Sequence, residues 1–285
     1  MNQKIYIYPK VERTGLCNML FCWARAEVFA KKNNLPILAP QWTIINRVGT
    51  FSRFEKDKRF YFNLFQNTGY VTGFKRQWVL LTKKQVKEDL FLGDNEENLL
   101  KKINFTKNGI VLVVTEIKDF FSSFIEEQPY IKKRLHAISN PKIINALSLD
   151  DSSPFIGVHI RRGDFKHVGL SIPLEWYDRA IKHAMENMQC NNFNANNLEI
   201  RIFTDDVLGV ENYFTNRHSR LTIMPNTSAL QDLLMLSKAA ILIGTSRSTF
   251  SMWAVFLGQM PSIWHPCEAP PRMLADDKMS PIILE

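Results

Sequence analysis

The chain of 285 residues is 45% hydrophobic and carries a formal net charge of +8. That composition supports a sizeable core, in one large domain or two modest ones, and excludes a largely disordered chain. No uncharged run approaches the roughly 20 residues that a membrane span requires, and the amino terminus lacks a signal-peptide stretch, so we expect a cytoplasmic protein. The four cysteines form no CxxC pair, and we expect neither disulfides nor a structural zinc site.

The positive charge lies in the first half of the chain. Residues 1–150 have 24 basic and 14 acidic residues, a net of +10, whereas residues 151–285 have 12 and 14, a net of −2. The basic residues come as scattered pairs broken by acids, which is typical of a solvated face. The alternative is a surface that docks on anionic lipid headgroups, peripheral to a membrane, or on an acidic acceptor.

The first half begins with a β-turn-α-β unit, the building block of a parallel sheet. We expect a strand at Ile5–Tyr8, a helix over 18–33, a strand at Leu35–Leu38, a strand buried on both faces at Gly109–Val114, and mainly helix from Lys118 to about Ser148. Residues 43–107 are aromatic and basic, and we expect an irregular basic insertion there that faces the acceptor.

The second half alternates strands and helices. The polar cluster Asp150–Pro154 suggests a domain boundary and so two domains, 1–150 and 151–285. Strands are predicted at 155–160, 198–203, 241–243 and 262–264, with helices over 174–188, 228–240 and 250–257. This alternation predicts a doubly wound α/β domain, in which ligands bind beyond the carboxyl ends of the strands.

Polar residues gather at three of those strand ends. The first strand leads into His159, Arg161, Arg162 and Asp164, the second into Asp205 and Asp206, and the third into a helix start with Ser248, Thr249, Phe250 and Ser251. Two adjacent arginines and a helix amino terminus both suit a diphosphate, which needs its charge neutralised as a leaving group. The segments therefore predict a site for a nucleotide-diphosphate sugar.

Simpler interpretations stay open for each residue. Arg161 and Arg162 could be an exposed pair balanced by Asp164, and His159 could be a core histidine rather than a contact to a base. The hydroxyls at the helix start could only cap the helix. Asp205 and Asp206 could hold Mg²⁺. Because arginines already offset the diphosphate charge, we favour a carboxylate that accepts hydrogen bonds from guanine, and expect no metal and no cofactor.

These stretches resemble the motifs of the α1,2-, α1,6- and protein O-fucosyltransferase superfamily, most of all the α1,2-fucosyltransferases. The matching stretches are Gly15–Phe21, His159–Asp164, Trp176–Ile181, Ile202–Asp206, Asp232–Ser237 and Ser248–Trp253. The chain departs from the family pattern at Cys17, where Gly is usual, at Met19, where Gln is, and at Thr245–Arg247.

The resemblance implies a GT-B-like fold of two Rossmann-like doubly wound domains, with the donor cleft between them. It implies that Arg161 binds the β-phosphate of GDP-fucose, that His159 and Asp205 bind guanine, and that Asn18 faces the sugar from the other domain. Ser248, Thr249 and Ser251 are implied at the pyrophosphate. The acceptor is expected to be a glycan, free or lipid-linked.

We therefore expect an inverting fucosyl transfer from GDP-fucose to a galactoside hydroxyl, with Arg161 stabilising the leaving group. Asp164, His167 and Glu116 are candidate general bases. Two alternatives stay open: the same fold with another nucleotide-sugar donor, and a basic module that binds nucleic acid or membrane on a vestigial fold. The separation of the +10 half from the motif-bearing half argues against nucleic acid.

Overall fold

The computed structural model describes residues 5–11, 14–42, 61, 63–88, 109–115, 117–149, 153–187, 189–190, 193–194, 198–276 and 280–285. These residues form two compact units, the first ending at Asn140 and the second beginning at Pro141. The division falls at the start of a helix, ahead of the polar cluster that suggests a boundary in the sequence. Within the described residues, no helix is long and apolar enough to cross a membrane.

The first unit is built on a three-stranded parallel sheet. Its elements are β1 (Ile5–Pro9), α1 (Leu16–Asn33), α2 (Gly73–Thr82), β2 (Lys84–Lys87), β3 (Ile110–Val114), a 3-10 turn (Ile125–Glu127) and α3 (Gln128–Ile138). The strand order is β1-β3-β2, and both pairings are parallel. All five residues of β3 are buried, as expected for an apolar, β-branched central strand. Helix α1 packs against β1 and β3.

Buried charge holds α1 in place. The Glu27 side chain is 1% exposed and accepts hydrogen bonds from the Tyr130 hydroxyl at 2.9 Å and from Arg134 Nε at 3.1 Å. The Tyr70 hydroxyl donates to its other oxygen at 2.5 Å. Burial and the neighbouring Glu27 charge both raise the pKa of Tyr70 and of Tyr130, so each phenol keeps its proton and stays a donor. Glu27 thus ties three segments of the first unit together.

The structure corrects the prediction of irregular structure over residues 43–107. Residues 73–87 form α2 and β2 instead; residues 43–60, 62 and 89–107 lie outside the described residues. The helical pattern was missed because α2 carries apolar side chains on both faces, buried at Val79 but exposed at Phe74 and Leu81.

Two further predictions for the first half hold only in part. Leu35–Leu38 makes isolated parallel bridges, Ile7 with Ile37 and Leu38 with Val71, rather than a continuous strand. The stretch predicted to be helical from Lys118 begins with turns, and its α-helices are α3 and, in the second unit, Pro141–Leu149. The predictions for Ile5–Tyr8, for the helix ending at 33 and for Gly109–Val114 are confirmed.

The second unit is a six-stranded parallel sheet with its helices. Its elements are α4 (Pro141–Leu149), β4 (Phe155–Ile160), α5 (Gly163–His167), α6 (Leu174–Asn187), β5 (Gln189–Cys190), β6 (Phe193–Asn194), β7 (Glu199–Thr204), α7 (Val207–Phe214), β8 (Leu221–Ile223), α8 (Ala229–Leu236), β9 (Ile241–Gly244), α9 (Thr249–Gly258), β10 (Ser262–Trp264) and β11 (Ile282–Ile283). The antiparallel pair β5 and β6 stands apart from the main sheet.

The main sheet has the strand order β8-β7-β4-β9-β10-β11, and every pairing in it is parallel. Counted along the chain, this is the order 3-2-1-4-5-6 of dinucleotide-binding domains. The order reverses between β4 and β9, and ligands bind at the carboxyl ends of strands at such a switch point. The topology alone therefore predicts a ligand-binding site at the residues that follow β4 and β9.

All four strands predicted in the second half are present, and the structure adds β8 and β11 to the main sheet, besides the separate pair β5 and β6. β8 and β11 are short and carry no long apolar run, so their sequences gave no strand signal. Helix α7 was also missed, and α8 ends at Leu236 rather than near residue 240. The core lies around β4, where Ile156, Val158 and Ile160 pack with the fully buried residues of α6.

We predict that Glu27→Ala lowers the free energy of unfolding by about 3–5 kcal/mol, because it leaves the Arg134 charge and two phenols without their shared acceptor in a partly buried position. Urea unfolding followed by circular dichroism measures the change. The matched control is Glu126→Ala, at an exposed acid of the same unit, which should cost less than about 1 kcal/mol. Equal losses in the two variants would contradict the role of Glu27.

Candidate active site

The site lies at the carboxyl ends of β4, β7 and β9, three adjacent strands of the second unit. β4 ends at Ile160 and is followed directly by Arg161 and Arg162. β7 ends at Thr204 and is followed by the two aspartates, and β9 leads through a short loop into α9. The structure thus brings together the three segments that the sequence selected, because parallel strands place their carboxyl ends at one edge.

Asp205 fixes the turn that follows β4. Its Oδ1 accepts hydrogen bonds from the backbone N–H of Arg162 at 2.8 Å and of Gly163 at 3.0 Å. Its buried Oδ2 forms an ion pair with Arg161 Nη1 at 2.9 Å. Only glycine fits at position 163, because a Cβ atom there would lie 2.6 Å from Asp205 Oδ2. Sequence and geometry therefore agree that this turn is built around one carboxylate.

Arg161 lies between two carboxylates. Its Nε donates to Asp164 Oδ1 at 3.0 Å, and its Nη2 lies 2.9 Å from the same oxygen. The Arg161 side chain is 22% exposed and that of Asp164 is 46% exposed. The guanidinium is therefore oriented by the protein but still accessible, as an anion-binding group must be.

Asp206 holds the second arginine. Burial favours the protonated carboxyl, but hydrogen bonds from Lys166 and Arg162 outweigh it and lower the pKa of Asp206. Arg162 Nε donates to Asp206 Oδ2 at 3.1 Å, and Lys166 Nζ lies 2.5 Å from the same oxygen. The two aspartates after β7 thus each orient one arginine of the turn after β4.

His159 is buried beneath the arginines. Its Nδ1 lies 2.7 Å from Ser251 Oγ, and its ring stacks on Phe250 with centroids 4.8 Å apart. Burial, with a smaller contribution from the Arg161 charge, lowers the pKa of His159 to about 3. The imidazole is therefore neutral at physiological pH, so it acts through its hydrogen bonds rather than its charge.

Ser251 sets which nitrogen of His159 carries the proton. The Thr245 backbone N–H donates to Ser251 Oγ at 3.1 Å. Among the described contacts of Ser251, His159 Nδ1 is the only acceptor, so we assign the serine hydroxyl as the donor and the imidazole proton to Nε2. Ser251 is completely buried. Its position suits the orientation of His159 better than a direct contact with a pyrophosphate.

Thr245 and Tyr177 complete this buried network, and sequence reasoning gave neither a role. Thr245 Oγ1 donates to the His159 carbonyl at 2.7 Å and accepts from the Arg161 N–H at 3.0 Å. The Thr245 hydroxyl has one proton, and it is used in the bond to the His159 carbonyl. The Tyr177 hydroxyl, 2.8 Å from Thr245 Oγ1, is therefore the donor in the bond between them. Both residues are buried and uncharged, so only their place in motif-like stretches could have marked them.

For the remaining predicted residues, the structure gives a position but few contacts within the site. Ser248 occupies the N-cap position of α9, yet its side chain makes no capping hydrogen bond, contrary to the simpler interpretation. Thr249 begins α9 and is half-buried. Asn18 lies in the first turn of α1, in the first unit, and its role stays a prediction. Of the candidate bases, Glu116 lies outside the described residues and the side chain of His167 is not described.

In the described part of the chain, no group of three or more His, Cys, Asp or Glu side chains is placed to hold a metal ion. The two aspartates nearest the turn instead contact arginine, lysine and backbone N–H groups. The charged groups at this sheet edge therefore compensate one another, and the guanidinium of Arg161 stays partly accessible.

A Rossmann-like strand order, with two arginines and a helix amino terminus at its switch point, is an arrangement suited to the phosphates of a nucleotide. Residues 79–265 match the sequence profile of glycosyl transferase family 11. The match covers more than half of the chain, which therefore belongs to this family of glycosyltransferases. It also confirms the resemblance to the fucosyltransferase superfamily that the motifs indicated.

Three solved structures of similar fold come from two proteins, NodZ and FUT1. Fucosyltransferase NodZ from Bradyrhizobium aligns with a TM-score of 0.57 at 16% identity, over 92% of this chain and 94% of that one. NodZ α-1,6-fucosyltransferase soaked with GDP-fucose gives 0.60 at 16% identity, over 95% and 98%. Arabidopsis thaliana FUT1, as a mutant in complex with GDP, gives 0.53 at 13% identity, over 98% and 74%. At these identities the likeness concerns the fold; comparison with curated protein sequences gave no match.

We predict that His159 stays neutral from pH 8 down to at least pH 5, since its pKa is lowered to about 3. Nitrogen-15 NMR of histidine-labelled protein, with His159→Asn to identify the signal, should show a constant Nε2–H tautomer over this range. A midpoint near the ordinary value of about 6.5 would contradict the assignment.

The same shift has a consequence for stability. Between the unfolded-state pKa of about 6.5 and the folded-state value, the unfolded chain binds a proton at this residue and the folded chain does not. The His159 contribution to the free energy of unfolding therefore falls as the pH drops below about 6.5, by up to about 1.4 kcal/mol per pH unit. His159→Asn should remove that part of the pH dependence.

Proposed function

We propose that the chain is an inverting fucosyltransferase that transfers fucose from GDP-fucose to a hydroxyl of a glycan, with α1,2 linkage to a galactoside. The observation that carries the proposal is the accessible Arg161 guanidinium at the switch point, oriented by Asp164 and Asp205. Support comes from membership of glycosyl transferase family 11 and from a fold like that of NodZ, solved with GDP-fucose. The proposal includes the two-domain GT-B layout that the sequence resemblance implies.

The diphosphate is proposed to bind beside the turn after β4. Arg161 contacts the β-phosphate, Arg162 adds positive charge, and the amino terminus of α9 offers backbone N–H groups at Thr249. A planar guanidinium can donate two parallel hydrogen bonds to phosphate oxygens. This arrangement stabilises charge that grows on the leaving oxygen, which is where transition-state stabilisation is needed.

The guanine base is proposed to bind near His159. With Nδ1 occupied by Ser251, the imidazole presents Nε2–H as a donor, which suits an acceptor such as guanine O6 or N7. Both hydrogen bonds to Asp205 are on Oδ1, whereas its Oδ2 has the ion pair with Arg161 but no hydrogen-bond donor. Asp205 can therefore still accept from one donor, such as guanine N1–H.

Transfer is proposed as a single displacement with inversion. The acceptor hydroxyl attacks the anomeric carbon from the face opposite GDP, the bond to the β-phosphate oxygen breaks, and the hydroxyl proton passes to a base or to water. Asp164 is the candidate base that lies beside the diphosphate clamp, with 46% of its side chain exposed. Ser248 and Thr249 are proposed at the pyrophosphate, and Asn18 at the sugar.

We predict that Arg161→Ala lowers kcat/KM for fucose transfer by about 100-fold or more, because a transition-state contact is lost. The assay offers GDP-fucose, GDP-mannose and UDP-galactose with a galactoside acceptor, with and without EDTA. The control is Arg217→Ala, at an exposed arginine of the same unit, which should leave kcat/KM within about twofold. NMR of the product assigns the linkage.

Near-normal transfer by Arg161→Ala would refute the clamp. Turnover of GDP-mannose or UDP-galactose in place of GDP-fucose would refute the donor, and loss of activity in EDTA that added Mg²⁺ restores would refute metal independence. A product linked other than α1,2 would overturn the linkage and leave the clamp standing, so each part of the proposal has its own outcome.

A further inference from the structure

Helix α2 of the first unit presents a row of large apolar side chains to solvent. Phe74 and Leu81 are each 82% exposed and Trp78 is 58% exposed. Their spacing of four and three residues places them on one face of a helix. The Phe74 and Trp78 rings stack with centroids 6.2 Å apart, so the row is continuous. Single exposed apolar residues are ordinary, but an aligned row marks an interaction surface.

The rest of the unit fixes this face outward. Arg76 Nε donates to the Ala39 carbonyl at 2.8 Å, and Arg76 Nη2 donates to the Tyr8 hydroxyl at 3.1 Å. On the same side Val79 is 3% exposed and packs in the core with the sheet. Because α2 is anchored through its opposite side, the apolar row is a property of the folded unit and not of a frayed segment.

The charged residues along the sequence of this stretch have one sign. Lys75, Lys84 and Lys87 are exposed, and no Asp or Glu occurs between residues 58 and 87. Lys87 lies on β2, an edge strand, and pairs with Val113 on the face of the sheet that α2 covers, whereas Lys84 pairs with Ile110 and so lies on the opposite face. The apolar row is thus bordered by lysines, within the half of the chain that carries the net charge of +10.

We propose that α2 docks on a surface of anionic lipid headgroups, with Phe74, Trp78 and Leu81 at the acyl boundary and Lys75 and Lys87 against the headgroups. Amphipathic helices bind membranes by this combination of apolar insertion and electrostatic attraction. A second copy of the chain suits the face less well, since pairing would bring like charges together. A sugar would need carboxylates or amides beside the aromatic rings, and the described part of α2 offers only Gln77.

Trp78 is a built-in reporter for this contact. The chain has six tryptophans, and the other five, all among the described residues, are at most 5% exposed. The probe is vesicles of equal parts phosphatidylcholine and phosphatidylglycerol, compared with phosphatidylcholine alone. We predict a blue shift of tryptophan emission and quenching by brominated lipid with the anionic vesicles, both weakened by salt.

Two sets of substitutions test the two parts of the surface. Phe74→Ser combined with Leu81→Ser should weaken vesicle affinity by at least about tenfold, whereas Leu149→Ser, at an apolar residue that is 86% exposed, should not. The basic set is Lys75→Gln and Lys87→Gln, with Lys132→Gln and Lys133→Gln as its control. Each lysine of the first set should contribute about fivefold, and the control set clearly less.

Circular dichroism checks that the variants fold. Absence of anionic-vesicle binding, or equal binding by the α2 and control variants, would overturn the proposal. Self-association or binding to polyglutamate that depends on α2, without vesicle binding, would also overturn it and assign the face to a protein. These outcomes do not depend on whether the donor is GDP-fucose.

Discussion

The geometry of the site depends on the Asp205 carboxylate, which binds the turn that follows β4. Asp205 accepts from two consecutive backbone N–H groups and pairs with Arg161, so it sets both the path of the chain after β4 and the direction of the guanidinium. Gly163 is required because Asp205 leaves no room for a Cβ atom. A loop placed by a buried charge is costly to deform, since a carboxylate without its partners is strongly destabilised. Preorganisation of this kind places Arg161 before any ligand arrives.

A second, uncharged network lies below the charged one. The Tyr177 hydroxyl donates to Thr245, whose hydroxyl donates to the backbone carbonyl of His159. The Thr245 N–H donates to Ser251, whose hydroxyl donates to Nδ1 of His159. Fully satisfied buried networks specify a single arrangement. In the proposed function, the charged network of arginines and aspartates binds the diphosphate. The uncharged network orients the neutral imidazole that binds guanine. Because His159 is neutral, it adds no further positive charge beside the arginines.

Sequence patterns were sufficient to predict an element where a buried apolar strand runs directly into polar residues. The apolar strand before His159 and the polar residues after it predicted both β4 and the site, because ligands bind beyond strand ends in parallel sheets. They were insufficient for Tyr177 and Thr245, whose roles arise only from side chains that meet across strands and helices. Ser251 is predicted at the pyrophosphate, and the structure adds a contact with His159 that spacing along a helix start cannot reveal. Helix α2 escaped prediction because its apolar residues do not all point inward.

The central claim is that Arg161 recognises the β-phosphate of a guanosine diphosphate. Isothermal titration of GDP and GMP into the native protein and into Arg161→Ala tests it directly, since the two ligands differ only in that phosphate. The account predicts that the native protein prefers GDP and that the substitution weakens GDP binding by about 10- to 100-fold, as for a hydrogen bond to a charged group, while GMP binding is retained. Equal losses for both nucleotides, or an undiminished preference for GDP, would contradict it.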